Sequence, residues 1–379
     1  MQELQSFSRT DEFRAFVDRV HQQIDPGENK FFLGFVVTRH PYWNSLKQIR
    51  AGGFDLLYPN YWPPPLGPYW VDSDMLRPPM YYTSDNNDDY LTSKWANFSE
   101  KQSFLVKVCF APTEKASLGL RRRLEAVCQA ERNFFAIVED RAPARLASHE
   151  GGRQLVTGGQ NGTIGGFLRD QNGRFHGLTC GHVARTKGDV VSADDASNVL
   201  KTLGKVGETN WPLNPIGGNT LCQPHPGNHD LDIAIVNVAS GVVPQNTVRG
   251  IGQITDIYGL SQLGSGHQVR MSGAQSGAED YTITGYVVTY RTPYQGHYYC
   301  FSDVFEISGI PSTTWFQLFG QYIPTPSLGD SGAWVTTDTA TGNALCGMLY
   351  AVDNARGYVC FTDQIQSWTR HHGWDLSVF

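Results

Sequence analysis

Residues 327–335 read Ser327-Leu328-Gly329-Asp330-Ser331-Gly332-Ala333-Trp334-Val335. A turn of glycine, aspartate and serine leads into a short apolar run with the texture of a strand. The glycines flanking Asp330-Ser331 let the backbone bend sharply and come close to another group. In such a bend the N–H groups of Gly329 and Ser331 can converge on one point. A plain surface turn has the same composition, so this stretch acquires meaning only beside two others upstream.

A serine hydroxyl is a weak nucleophile near neutral pH. To act as one it needs a base within hydrogen-bond reach, a carboxylate that fixes the tautomer of the base, and donors for the developing oxyanion. Gly177-Leu178-Thr179-Cys180-Gly181-His182-Val183-Ala184 offers His182 where a strand ends and the chain turns. Asp230-Leu231-Asp232-Ile233-Ala234-Ile235-Val236 offers an aspartate at the mouth of an apolar strand. A carboxylate there is costly to bury unpaired, and a histidine partner gives it a reason to be there. Asp232 is the favoured residue and Asp230 its competitor. The order is His, Asp, Ser, at intervals of 50 and 99 residues.

From about residue 155 onward, glycines and turn residues recur and helical periodicity disappears. Runs such as GTIGGFLRD, YTITGYVVTYR, CFSDVFEIS and GMLYAV alternate with loops, the pattern of a sandwich or barrel of short antiparallel strands. FTDQIQSWTR (361–370) closes the chain as a helix with Thr362 as its cap. The first part reads differently. Residues 10–24 space Phe13, Phe16, Val17, Val20 and Ile24 as an amphipathic helix capped by Thr10. Strands are expected at 31–37, 103–110 and 134–138, with a helix starting near Thr113. Residues 58–90 are so rich in proline, tyrosine and tryptophan that they read as a long packed loop. The expected division is an α+β N-terminal domain over 1–145, a linker over 146–154 and an all-β domain over 155–379.

The chain has 379 residues, enough for two or three domains, with 40% hydrophobic and 17% charged residues. Its net charge of −6 gives no electrostatic basis for a nucleic-acid partner, and Arg121, Arg122 and Arg123 read as one solvated helix face. No run is long and apolar enough to span a membrane, and the polar opening MQELQSFSRTDEF shows no secretory leader. Seven cysteines at irregular spacing read as reduced, buried thiols of a cytoplasmic protein. Cys222, His225 and His229 have metal-like spacing but form one cluster without a second pair, so no metal is assigned.

On these residues the chain from about 155 to 375 resembles the trypsin-like, chymotrypsin-fold serine peptidases. Thr179-Cys180-Gly181-His182 is similar to the family's Thr-Ala-Ala-His, and Asp232-Ile-Ala-Ile-Val to its Asp-Ile-Ala-Leu-Leu. Gly329-Asp330-Ser331-Gly332 matches its nucleophile motif. Cys346-Gly347-Met348-Leu349-Tyr350-Ala351 resembles the strand that pairs with substrate backbone, and the helix containing Trp368 has a counterpart too. The intervals are close to the family's, about 45 and about 93.

The resemblance implies two six-stranded barrels with the site between them. It implies a catalytic triad of His182, Asp232 and Ser331, an oxyanion hole from the Gly329 and Ser331 amides, a polypeptide substrate, and no metal or organic cofactor. The secreted members' disulfides beside the histidine and the nucleophile are absent, which suggests an intracellular, HtrA-like style. Secreted relatives also pair the aspartate before the nucleophile with a newly cut amino terminus. Asp330 stands there, and Arg153-Gln-Leu-Val-Thr-Gly-Gly echoes the cut site loosely, the alternative being a plain linker. Substrate contacts are expected from Thr325, Tyr350, Ala351 and Val352. Thr325 replaces the acid that selects basic residues, and Val352 narrows the pocket, so small or medium apolar P1 residues are expected. The N-terminal domain would control access or recruit a protein partner. The rival readings are a silent or latent binding protein on the same fold, and an esterase.

Overall fold

The structure, a computed structural model, describes residues 1–39, 104–111, 117–131, 133–141, 145–146, 154–194, 199–217, 220–222, 231–310, 323–353 and 355–379. The proline- and aromatic-rich stretch 58–90 lies outside them. The N-terminal apolar spacing produces α1 (Gln2–Ser8) and α2 (Asp11–His21). The Thr10 hydroxyl accepts from Phe13 N at 3.3 Å, and Phe13, Phe16, Val17 and Val20 are buried on one face of α2. Beneath them lie β1 (Phe32–Arg39), β2 (Phe104–Phe110) and β3 (Phe135–Asp140). β2 and β3 run parallel and are joined by α3 (Ser117–Ala130), the crossover that parallel strands require. The arginines of α3 are not merely solvated. Arg121 bonds Glu125 at 2.8 Å and Asp140 at 2.5 Å, and Arg123 donates to Gln23 O at 3.0 Å.

The remainder of the chain is mostly β. β5 (Gln154–Thr157), β6 (Gln160–Thr163), β7 (Gly166–Arg169), β8 (Phe175–Thr179), β9 (Val190–Asp194), β10 (Leu200–Thr209) and β11 (Ala234–Val238) form one sheet in the order β6-β5-β9-β10-β11-β8-β7. A second group consists of β14 (Gln268–Gly273), β15 (Gly277–Tyr294), β16 (His297–Gly309), β17 (Trp334–Thr339), β18 (Gly342–Val352) and β19 (Arg356–Phe361). These pair antiparallel around a closed ring, β14-β15-β16-β19-β18-β17. β12 (Thr247–Val248) and β13 (Gly252–Ile257) extend the sheet beside β18, and β4 (Arg145–Leu146) pairs with the last residues of β18.

The chain therefore holds one closed six-stranded barrel and one open half-barrel, where two closed barrels were expected. The half-barrel stays open because its edge is used elsewhere. Thr163 N, at the end of β6, donates to Ser331 O at 2.8 Å, across to the other barrel. Helix α4 (Thr362–His371) closes the chain with Ile365 buried. Its expected cap is corrected: Thr362 is the first helical residue, and its hydroxyl donates to Tyr258 O at 2.6 Å. The Phe361 N–H is satisfied by Gln364 instead.

The strands β1, β2 and β3 share a sheet with the closed barrel, because β1 pairs antiparallel with β15. Gly34 makes the crossing possible. Its φ is +141°, and a Cβ there would lie 2.0 Å from Thr289 O. Behind this join sits a buried charge network. Lys107 of β2 and Arg141 meet Glu139 of β3 at 3.6 Å and 2.5 Å. Arg141 also pairs with Glu306 of β16, and Arg356 of β19 reaches Glu139 at 3.1 Å and Glu306 at 3.5 Å.

Burial pushes the Glu306 carboxyl up, but Arg141, Arg356 and Lys107 outweigh it and hold it down to about 2, against an ordinary value of 4.5. The stabilisation is thus fully present above pH 4.5 and is lost as pH falls toward 2. Thermal melts across that window are expected to show a falling Tm. Glu306→Gln is expected to lose about 3 to 5 kcal/mol at pH 7 and to flatten the acid limb, because Arg141 is left buried and underpaired.

The cysteine expectation needs revising. Cys222 and Cys300 form a disulfide with Cα atoms 5.6 Å apart, while Cys109, Cys128, Cys180, Cys346 and Cys360 are buried. The partners stand 78 residues apart, and only the topology brings them together. An odd count with irregular spacing gives no pairing. The bond removes Cys222 from the metal-like cluster, whose His225 and His229, like Asp230, lie outside the described residues. It also takes away the argument from reduced thiols for an intracellular location.

Candidate active site

β8 ends at Thr179, and the chain turns through Cys180 and Gly181 to His182, with Ala184 N bonded to Cys180 O at 3.0 Å. β11 lies beside β8, Ala234 opposite Thr179, so Asp232 arrives two residues before the strand at the level of this turn. Its carboxylate grips His182 twice. Oδ1 accepts the His182 backbone N–H at 2.8 Å, and Oδ2 takes a short contact from Nδ1. Gly181 permits the approach, since a Cβ there would stand 3.0 Å from Ile233 O and 3.1 Å from Asp232 Oδ1. With the Nδ1 proton committed to Asp232, the lone pair of the neutral ring is on Nε2. His182 is 0% and Asp232 1% exposed.

Ser331 follows the turn over residues 327–330. Gly329 and Gly332 hold φ of +109° and +94°, conformations that favour glycine. The Asp330 carboxylate accepts from Gln275 N (2.8 Å), Ser276 N (3.2 Å), Ser276 Oγ (2.8 Å) and Ser327 N (2.8 Å). Asp330 is therefore held by the β14–β15 turn and its own loop and needs no amino terminus as a partner. Arg153 lies outside the described residues. The loop is fixed to both barrels. Thr163 Oγ1 donates to Gly329 O at 2.9 Å, Gly332 N to Leu349 O at 2.8 Å, and Leu349 N to Ala333 O at 2.9 Å. A Cβ on Gly332 would come within 2.3 Å of Thr163 O and 2.6 Å of Thr179 Oγ1.

Cys180 connects the two halves. Its thiol is a hydrogen-bond partner of the Ser331 side chain, and its Sγ donates to Leu349 O at 3.3 Å. Sγ also lies within 4.8 Å of the His182 nitrogen and the Asp232 oxygen. Ser331, which is 0% exposed, thus belongs to the same buried cluster as the histidine–aspartate pair. Three such donors have a spacing that a metal ion could bridge. However, burial first and the Asp232 charge second push the Cys180 thiol well up, so it remains protonated, a poor ligand and a poor nucleophile.

Over His182 lie Tyr294, with ring centroids 5.7 Å apart, and Trp211, at 6.4 Å. The Arg185 guanidinium sits over both of those rings, at 5.2 Å from Trp211 and 5.6 Å from Tyr294. It also donates to His182 O at 2.8 Å and to the Tyr294 hydroxyl. Tyr294 ends β15 at the tip of the β15–β16 hairpin, where Gln295 and Gly296 both have positive φ, the requirement of a tight hairpin turn. The aromatic tip of this hairpin packs on the histidine. Thr163, Cys180, Arg185 and Trp211 were not legible as site residues, although Cys180 stands inside the histidine motif.

Among the expected substrate contacts, Tyr350, Ala351 and Val352 are buried, with Tyr350 against Phe301 at 4.3 Å between ring centroids. Thr325 is half-buried at the entrance to the Ser331 turn, where its carbonyl accepts from Ser327 Oγ at 3.4 Å. Ala351 and Val352 pair with Tyr358 and Gly357 on one side and with Leu146 and Arg145 of β4 on the other.

No family model and no curated protein matches the chain. Solved structures similar to it include a glutamic acid-specific serine protease (16% identity, TM-score 0.40, 60% of this chain and 99% of that one). Thermobifida fusca protease A is another (17%, 0.41, 60% and 98%), and a Cellulomonas bogoriensis chymotrypsin a third (18%, 0.38, 60% and 98%). At these values the likeness carries no weight toward the chemistry, which rests on the geometry above.

Proposed function

We propose that the chain is a serine endopeptidase. His182 takes the Ser331 proton on Nε2 as Oγ attacks a peptide carbonyl. Asp232 holds the ring and stabilises the imidazolium, and the Gly329 and Ser331 amides receive the oxyanion. The proton passes to the leaving amine, and water then hydrolyses the ester. The observation that carries this reading is the two-oxygen grip of Asp232 on His182, in one buried cluster with the Ser331 side chain. The steps use only these side chains and water, with no metal or organic cofactor. Tyr350, Ala351 and Val352 would receive substrate backbone. With Thr325 and Val352 at the pocket, small or medium apolar P1 residues are expected. The first 140 residues would regulate access or recruit a partner.

One observation favours a latent form: His182 and Ser331 have no exposure to solvent. Digestion of an unfolded polypeptide mixture, read by mass spectrometry, tests the whole reading. Peptides ending in Ala, Val or Leu that vanish with Ser331→Ala support it. Cutting mainly after Arg or Lys would refute the pocket assignment, and an intact mixture would favour the silent reading. An ester substrate turned over without amide cleavage would favour an esterase.

A further inference from the structure

The two rings that cover His182 come from different barrels. Trp211 follows β10 of the half-barrel, and Tyr294 ends β15 of the closed one. They meet edge to face with centroids 5.6 Å apart, and Trp211 also faces Tyr299 at 6.0 Å. The segments that carry the rings are fastened to each other twice. Ile216 N donates to Tyr298 O at 2.8 Å, and further along the same segment Cys222 is bonded to Cys300. The hairpin that carries Tyr294 has few strand neighbours of its own. β1 pairs with β15 no further than Tyr290, and β19 pairs with β16 only from Val304 onward. Among the described residues, the hairpin strands between Arg291 and Asp303 pair with each other and, at Tyr298, with Ile216. A projecting hairpin with no third strand beside it belongs to the part of a fold that opens most easily. A covalent link at Cys300 keeps the two segments at high effective concentration, so the rings reclose as soon as they part.

We propose that the Cys222–Cys300 disulfide is a redox latch on an aromatic lid. With the bond intact, Trp211 and Tyr294 stay closed over His182; a dithiol reductant releases them and admits substrate. The proposal rests on the peptidase reading above and supplies a cause for the lack of exposure of His182. Cys300 is half-buried and Cys222 buried, so the reductant attacks at Cys300. A thiolate of the reductant bonds to Cys300 Sγ as the S–S bond breaks, and the Cys222 sulfur leaves as a thiolate and takes a proton. The second thiol of the reductant then displaces the Cys300 sulfur, which is protonated in turn. Two electrons and two protons pass to the protein, which gains two thiols, and the reductant becomes a cyclic disulfide. The contacts of Ile216 with Tyr298 and of Arg185 with the Tyr294 hydroxyl do not depend on the bond. They let the lid reclose, so reduction shifts a population between closed and open forms.

The test measures how fast a fluorophosphonate labels Ser331 in the full chain before and after dithiothreitol, with the state of the Cys222–Cys300 bond read by mass mapping of alkylated cysteines. Labelling should be slow with the bond intact and about tenfold faster once it is reduced, because the apparent rate scales with the open fraction. The double variant Cys222→Ser, Cys300→Ser should match the reduced rate and ignore the reductant, which separates this bond from the five buried thiols. Tyr294→Ala keeps the disulfide and removes one ring of the lid, and it should label about as fast as reduced wild type. Labelling of Ser331 that reduction leaves unchanged or slows overturns the latch and leaves the peptidase reading standing. So does a Tyr294→Ala rate equal to that of oxidised wild type. A chain labelled in neither redox state brings down both.

Discussion

Ser331→Ala is expected to lower amide hydrolysis by about a million-fold in kcat, the scale seen when a hydroxyl nucleophile is removed from a complete triad. The size follows from the absence of a substitute nearby. The one other nucleophilic atom in the cluster is the Cys180 sulfur, and burial together with Asp232 keeps it protonated. What survives is whatever oxyanion donors and binding supply without a nucleophile. The fold should survive as well, since the loop is held by backbone and neighbouring groups that alanine leaves intact. These are Thr163 N to Ser331 O, Gly332 N to Leu349 O, and the four donors on Asp330. Steady-state rates on a peptide amide, with the melting temperature measured alongside, check this. A loss below about tenfold would remove Ser331 from the chemistry.

Asp232→Asn is the second large effect, about ten-thousand-fold in kcat. The two hydrogen bonds from His182 explain why an isosteric change costs so much. Both carboxylate oxygens accept, one from the backbone N–H of His182 and one from Nδ1. Asparagine has a single acceptor oxygen. The backbone N–H can only donate, so it claims that oxygen, and the amide NH2 then faces Nδ1. The ring must respond by accepting at Nδ1 and carrying its proton on Nε2, where it can no longer take one from Ser331. KM should change little, because no substrate contact is touched. A kcat within tenfold of wild type would mean that the tautomer of His182 is not what limits the reaction.

The candidate site of this fold was legible because its signals are local. Gly-Asp-Ser-Gly, the histidine after a strand and the aspartate before one each carry a backbone requirement within a few residues, and their order restricts the topology. The periodicity of α2 and its Thr10 cap were readable for the same reason. Pairings across the fold were not. Nothing in the spacing of Cys222 and Cys300 announces a bond, and nothing in FFLGFVV says that β1 will join β15 instead of closing a sheet of its own. Thr163 was invisible because its role, reaching from one barrel to Ser331 in the other, exists only once both are assembled. The Thr362 cap failed for a related reason, as its hydroxyl has a distant partner in Tyr258. Asp330 was legible as a buried partner-seeking carboxylate, but the identity of its partners, Gln275 and Ser276, is a property of the tertiary structure.

The account stands on Ser331 being a hydroxyl made nucleophilic by His182, and covalent labelling reads that property directly. The full chain is treated with a fluorophosphonate, digested and mapped by mass spectrometry, beside Ser331→Ala and His182→Ala. The prediction is one adduct, on Ser331, absent from the first variant and strongly slowed in the second. An unlabelled wild type, or an adduct on another residue that persists in Ser331→Ala, would contradict it.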